Sequence, residues 1–204
     1  MRVFITGTDT DVGKTTICSW LCLHTQYAYF KPIQTGNTTD VDKKTVKQLS
    51  NAKIYEEAYS FIKPVSPHLA AKLDNTYIHL ENIQLPNESN LIIEGAGGLL
   101  VPINDRTFII DLIQMFDVTV ILVARSTLGT INHTLLSLES LRKRNIKILG
   151  VIMNGEYNED NKEAIEFYGQ VKVLASFPKV LQVTTDVLLN IKLSSELKSI
   201  FKIN

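Results

Sequence analysis

Residues 3–15 read Val3-Phe4-Ile5-Thr6-Gly7-Thr8-Asp9-Thr10-Asp11-Val12-Gly13-Lys14-Thr15. A short apolar run enters a glycine-containing loop that closes on Gly-Lys-Thr. This order specifies a strand, a loop that wraps a phosphate, and the start of a helix. Successive backbone N–H groups in such a loop point at phosphate oxygens, and the helix N-terminus adds its positive end. Lys14 is placed to reach the β- and γ-phosphates, and the Thr15 hydroxyl to ligate Mg²⁺. The usual spacing is G-x-x-x-x-G-K-[ST]; here Thr8 stands six before Lys14, with Gly7 one residue earlier. A turn that merely opens a helix is the alternative, and the strand–loop–helix context argues against it.

The rest of the chain alternates short apolar runs with longer segments at helical spacing. Residues 15–25 read as a helix and Tyr27–Phe30 as a strand ending at Lys31-Pro32. Asp42–Leu49 reads as a short helix, and residues 55–88 are broken by Pro64, Pro67 and Pro86. Leu91-Ile92-Ile93 is a strand buried on both faces. Further strands are expected at Val118–Ala124, Ile148–Met153 and Val171–Ala175. Helices are expected at 130–143 and 160–168, and a helical tail from about 182. Alternation of this kind predicts one α/β domain over residues 1–204, a mostly parallel sheet with helices on both faces.

Composition narrows the function classes. Lys+Arg and Asp+Glu are both 21 of 204 residues. No net field therefore favours nucleic acid or an anionic membrane, and no basic stripe carries interleaved aromatics. No apolar run approaches membrane-span length. The first strand begins at once, so no leader is expected, and the protein is expected in the cytoplasm. Cys18 and Cys22 lie four apart with no second pair at ligand spacing, which reads as core packing.

In parallel sheets of this type, ligands gather beyond the carboxyl ends of the strands. Glu94 closes the 91–93 run and is followed by Gly95-Ala96-Gly97-Gly98. It either faces a triphosphate-bound Mg²⁺ or caps a turn. Asp40 and Asp42 follow the second strand, and either could complete an oxygen shell with Thr15 and Glu94. Lys31 either snorkels to solvent or adds a second cation beside Lys14. Leu128-Gly129-Thr130-Ile131-Asn132-His133 opens a helix whose free N–H groups suit a carboxylate or phosphate; simple capping by Thr130 or Asn132 is the alternative. No histidine spacing suggests a metal site.

Five motifs stand in one order: Gly7–Thr15, Lys31-Pro32-Ile33-Gln34-Thr35-Gly36, Ser66-Pro67-His68, Glu94–Gly98 and Leu128–His133. Together they resemble the dethiobiotin synthetase family, over residues 3 to about 154. In that family Thr8 is the ordinary residue at its loop position. The resemblance implies a phosphate-loop NTPase fold and an ATP-dependent cyclo-ligase. The implied substrates are 7,8-diaminopelargonic acid, CO₂ and MgATP, and the products dethiobiotin, ADP and phosphate. It also implies a homodimer with sites near the subunit interface.

Residue by residue, the resemblance assigns Lys14, Lys31 and Thr10 to the carbamate and the transferring phosphoryl group. Asp11, Val12, Gly13, Lys14, Thr15 and Thr16 would hold the nucleotide with Asp42 and Glu94-Gly95-Ala96-Gly97. Thr15, Asp42 and Glu94 would hold Mg²⁺. Thr35 would contact the amines or carbamate, and Gly129, Thr130 and Asn132 the substrate's far carboxylate. Asn154, Phe177 and Pro178 fall where the family contacts the base. After Asn154 the chain looks short for the family. No general base stands out, and the chemistry does not require one. A switch or partitioning ATPase and an amide-forming synthetase are the rival classes. The first is disfavoured by Gly7-Thr8-Asp9, which lacks an early lysine, and the second by the absence of a glutaminase segment.

Overall fold

The computed structural model describes residues 1–38 and 41–203. Its scaffold is a seven-stranded sheet. In chain order the strands are β1 (Arg2–Gly7), β2 (Ala28–Phe30), β4 (Ile54–Tyr55), β6 (Leu91–Gly98), β7 (Thr119–Arg125), β8 (Ile148–Gly155) and β9 (Val173–Pro178). Their spatial order is β4-β2-β6-β1-β7-β8-β9, and every neighbouring pair is parallel. A separate parallel pair joins β3 (Ile33–Thr35) to β5 (Tyr59–Phe61). Among the described residues there are eight α-helices, α1 (Lys14–Thr25), α2 (Asp42–Ser50), α3 (Pro67–Leu73), α4 (Ile109–Phe116), α5 (Thr130–Lys143), α6 (Glu159–Gly169), α7 (Thr185–Asn190) and α8 (Ser195–Phe201), and one short 3-10 turn at Leu80–Asn82.

The apolar runs become central strands because both of their faces are covered. On β1, Val3 and Ile5 join the core beneath α1, α2, α7 and α8, whereas Phe4 points to the opposite face with α3 and α4. The α5 and α6 side is closed by Leu122, Leu138, Val151 and Ile165. Helix α4 buries Ile109, Ile110, Leu112 and Ile113, each contributing about 1.5–3 kcal/mol of transfer free energy. Its start is fixed by Asp111, whose carboxylate accepts the Phe108 N–H at 2.8 Å.

The expected strand at Val171–Ala175 is shifted to Val173–Pro178, because Val151 of β8 pairs with Val173. The helical tail is two helices, broken before Ser194, whose hydroxyl accepts the Leu197 N–H at 3.2 Å. Register brings strand ends together: Arg125 lies beside Asn154, and Asn154 beside Phe177. The loop after β1, the central strand, therefore opens where the ends of β2, β6, β7 and β8 also converge.

Candidate active site

The loop between β1 and α1 is built around two glycines. A Cβ on Gly7 would lie 2.6 Å from Val12 Cγ2 and 2.8 Å from the Asp9 carbonyl. The tight turn therefore needs its glycine at position 7, which leaves position 8 free to be threonine. Gly13 sits at φ 94°, and a Cβ there would fall 2.1 Å from Asn154 Nδ2. That amide donates to the Val12 carbonyl at 2.8 Å. Two further contacts tether the loop: Thr8 N–H to the Val123 carbonyl at 3.0 Å, and Arg125 Nη2 to the Thr10 carbonyl at 2.7 Å. Asp11 also adopts a left-handed backbone, φ 56°. The loop is held in shape by its neighbours before any phosphate arrives.

Lys14 is buried, and its ammonium donates to the Asp9 carbonyl at 3.1 Å. Burial lowers its pKa, opposed by the nearby Glu94 carboxylate. Two elements then bring oxygens to Thr15. Its Oγ1 lies 2.8 Å from Asp42 Oδ1, on the first residue of α2, and 2.8 Å from Glu94 Oε1 on β6. One hydroxyl proton can serve only one of those carboxylates. Lys31 supplies the missing positive charge: its ammonium pairs with Asp42 Oδ2 and lies 3.3 Å from Glu94 Oε1. Burial alone would lower the Lys31 pKa, but the two carboxylates outweigh it and hold it above the ordinary lysine value. Burial likewise pushes Asp42 up, while Lys31 and the Thr15 and Gln34 hydrogen bonds bring it below its usual range.

Two contributors escaped the reading of the sequence. Tyr29, fully buried on β2, donates its hydroxyl to Glu94 Oε2 at 2.8 Å. Gln34, 2% exposed on β3, accepts the Asp42 N–H through Oε1 at 3.3 Å and so fixes the start of α2. A tyrosine and a glutamine inside apolar strands look like core residues; the only signal is that Tyr29 stands two before Lys31 and Gln34 three after it. Asp40, the alternative to Asp42, lies outside the described residues.

The oxygen set suits magnesium. Thr15, Asp42 and Glu94 offer hard donors with two carboxylates, and Mg²⁺ commonly takes one or two carboxylates plus substrate phosphates. Among the described residues no group of three or more His, Cys, Asp or Glu side chains is placed as a metal cage. A cation held here would share its shell with a phosphate-bearing ligand.

Beside the loop lies a cavity of about 220 Å³ lined by Thr8, Leu99, Leu100 and, from α5, Asn132, His133 and Leu136. Gly129 caps α5 at φ 92°, and Thr130 is buried with its hydroxyl unpaired. Gly97, φ 70°, brings the Glu94–Gly98 strand end against the loop: a Cβ there would lie 3.4 Å from Thr10 Oγ1. Gly95 and Ala96 lie on β6 between Glu94 and this contact. Thr16 follows Thr15 in the first turn of α1, and Thr35 is half-buried at the end of β3. Phe177 is 1% exposed and packs edge-on to Trp20 with centroids 5.3 Å apart. Its ring therefore belongs to the core, leaving exposed Pro178 and Asn154 at the rim.

Together, the parallel sheet, the phosphate-shaped loop and the paired lysines define a phosphate-loop nucleotide-dependent enzyme. The chain matches the family model described as an AAA domain over residues 1–187. It is 54% identical over 201 residues to the ATP-dependent dethiobiotin synthetase BioD of Lawsonia intracellularis, covering 98% of this chain and 99% of that protein. With the same-named protein of Neorickettsia sennetsu the identity is 40%, covering 99% and 96% of the two chains. A ParA family ATPase from Chlorobium tepidum shares the fold at a TM-score of 0.58 and 12% identity, with 98% and 92% of the chains covered. The chain belongs to the ATP-dependent dethiobiotin synthetase family.

Proposed function

We propose that this chain, acting as a single synthetase domain over residues 1–204, converts 7,8-diaminopelargonic acid, CO₂ and MgATP to dethiobiotin, ADP and phosphate. The observation that carries the reading is the cavity joining Thr8 of the phosphate loop to Asn132 in the first turn of α5. Its leucine lining suits an aliphatic chain. It runs from the phosphate loop at Thr8 to the first turn of α5 at Asn132, as a molecule with its reacting amines at one end and a carboxylate at the other requires.

In this reading one substrate amine adds to CO₂ and loses a proton, giving a carbamate. A carbamate oxygen attacks the γ-phosphorus of ATP and ADP departs. The second amine then attacks the carbamate carbon, phosphate leaves with its C–O bond, and loss of a proton completes the cyclic urea. The phosphoryl step brings two anions together, so positioning and charge neutralisation are the protein's main work. Lys14 and Lys31 supply the charge, with Thr10 beside them and Thr35 near the amines. Asp11, Val12, Gly13, Thr16 and Gly95-Ala96-Gly97 shape the nucleotide site, and Asn154 and Pro178 border the base. Gly129, Thr130 and Asn132 receive the far carboxylate. Thr15, Asp42 and Glu94 would hold Mg²⁺, which supplies charge neutralisation to the phosphates when bound.

Leu100, Leu128 and Leu136 are 57%, 105% and 58% exposed. Two of them line the cavity, which supports a homodimer that closes the substrate site. No described helix is long and apolar enough to cross a membrane. The test is product mass and phosphate release with purified protein, omitting ATP, bicarbonate and diamine in turn. Dethiobiotin formation with diamine-dependent phosphate release is expected. Hydrolysis indifferent to diamine, with no dethiobiotin, would mark a switch ATPase instead.

A further inference from the structure

The Glu94 side chain is 1% exposed, and its two oxygens are treated differently. The buried Cys18 thiol also hydrogen-bonds this carboxylate; Oε1 faces Thr15 Oγ1 at 2.8 Å and Lys31 Nζ at 3.3 Å, whereas Oε2 accepts the Tyr29 hydroxyl at 2.8 Å. Both partners come from one strand. Tyr29 and Lys31 are two residues apart, so they project from the same face of β2 and its extension. Register sets Tyr29 beside Ile92 and Phe30 beside Ile93, one residue short of Glu94. The segment thus presents a neutral donor to one carboxylate oxygen and a cation to the other.

A carboxylate on a flexible glutamate can rotate about its last bond and exchange its oxygens. The tyrosine hydrogen bond fastens Oε2 in the core and leaves Oε1 directed at the phosphate loop. A core tyrosine merely satisfying its hydroxyl would serve as well with a backbone carbonyl; here the acceptor is the carboxylate that meets Thr15. We propose that Tyr29 is a positioning residue, fixing the orientation of Glu94 and thereby the magnesium affinity of the nucleotide complex. The inference rests on the reading of Glu94 as a magnesium ligand.

Calorimetric binding of ADP, first in EDTA and then across a Mg²⁺ series, tests it without turnover. For Tyr29→Phe, ADP affinity in EDTA should stay within about twofold of the parent. The Mg²⁺ concentration that half-maximally tightens ADP should rise roughly tenfold, the lower end of losses from outer-shell partners. In a Glu94→Gln background the same change should add less than about twofold, because the hydroxyl then has no ligand to orient. A raised midpoint in Glu94→Gln beside an unchanged one in folded Tyr29→Phe overturns the inference alone. An unchanged midpoint in Glu94→Gln overturns the metal assignment and the inference with it. An undiminished tyrosine effect in the Glu94→Gln background also overturns the inference, since Tyr29 would then act on the fold. If Tyr29→Phe does not fold, Tyr29→Met fills similar space without a donor and is judged by the same outcomes.

Discussion

Replacing Lys31 with methionine should destabilise the metal-free protein and make its stability depend on magnesium. The lysine side chain is 8% exposed, between Asp42 at 22% and Glu94 at 1%. Methionine keeps much of the volume and removes the charge. Two carboxylates then converge on one Thr15 hydroxyl, with Lys14 the remaining nearby cation. Removing one partner of a buried ion pair costs about 3–5 kcal/mol, because the other charge is left buried and unmatched. For a chain of this size 1 kcal/mol corresponds to about 2–4 °C, so the transition should fall by roughly 6–20 °C in EDTA. The lower part of that range is favoured by the partial exposure of Asp42, which lets water replace some of the lost charge. Scanning calorimetry with EDTA and then with Mg²⁺ but no nucleotide reads this out. Magnesium should recover several degrees in Lys31→Met and little in the parent, where the ammonium already serves both carboxylates. Turnover should remain at least ~10²-fold down even when the fold is recovered, the scale of losing one electrostatic stabiliser. Equal stability in EDTA, or an equal magnesium response in both proteins, would refute the reasoning.

Gly13→Ala places a Cβ 2.1 Å from Asn154 Nδ2 at φ 94°, strain of about 1–3 kcal/mol; nucleotide affinity measured by calorimetry should fall at least ~10-fold, and retained affinity would count against this loop geometry. Asn132→Ala should raise KM for the diamine more than for ATP in steady-state assays, whereas equal effects would remove Asn132 from the carboxylate end. The Asp42 carboxyl is held below its reference value of 3.8 by Lys31, although burial works the other way. Its stabilisation is therefore present above that value and is lost as pH falls through the lower folded pKa. The melting-temperature gap between parent and Asp42→Asn should be full near neutrality and shrink below about pH 4, and a gap that persists into stronger acid would contradict the pairing. Because the Lys31 pKa is raised above its reference value of 10.5, the alkaline limit of the pair lies at or above that pH.

Elements written in long apolar runs or clear helical periodicity were legible: β1, β7, β8, α1 and α5 follow the sequence closely, whereas β6 begins as expected at Leu91 but runs on through the glycines to Gly98 instead of closing at Glu94. Others were not, for identifiable reasons. β3 and β5 have three residues each and pair across more than twenty positions, so neither carries a periodic signal of its own. Helix α4 did have a signal, Ile109-Ile110-Asp111-Leu112-Ile113 with a carboxylate at the capping position, overlooked beside the stronger strand that follows. At the site, Lys14 and Thr15 were recognisable from the loop motif that opens α1, Lys31 as a cation just past an apolar strand, and Glu94 as a charge directly after an apolar run, although β6 continues through Gly98. Asp42 was a choice between two carboxylates, and the structure places it against Thr15 and Lys31. Tyr29 and Gln34 were hidden because their polar ends are used three-dimensionally while their positions read as core.

The fold shared with a ParA family ATPase at 12% identity establishes an architecture and says nothing about the reaction performed on it. The distinguishing chemistry lies outside the phosphate loop. Lys31 is nearly fully buried, and a buried ammonium is stable only where carboxylates meet it; Asp42 and Glu94 do so here. That cost makes little sense for a protein whose nucleophile is water, which carries no charge to neutralise. It makes sense where a second anion must approach the γ-phosphate. A carbamate is such an anion, and the cavity from Thr8 to Asn132 leaves room for its aliphatic remainder. In the proposed reaction the buried lysine would meet the charge that forms, and the apolar cavity would take the carbon chain that carries it.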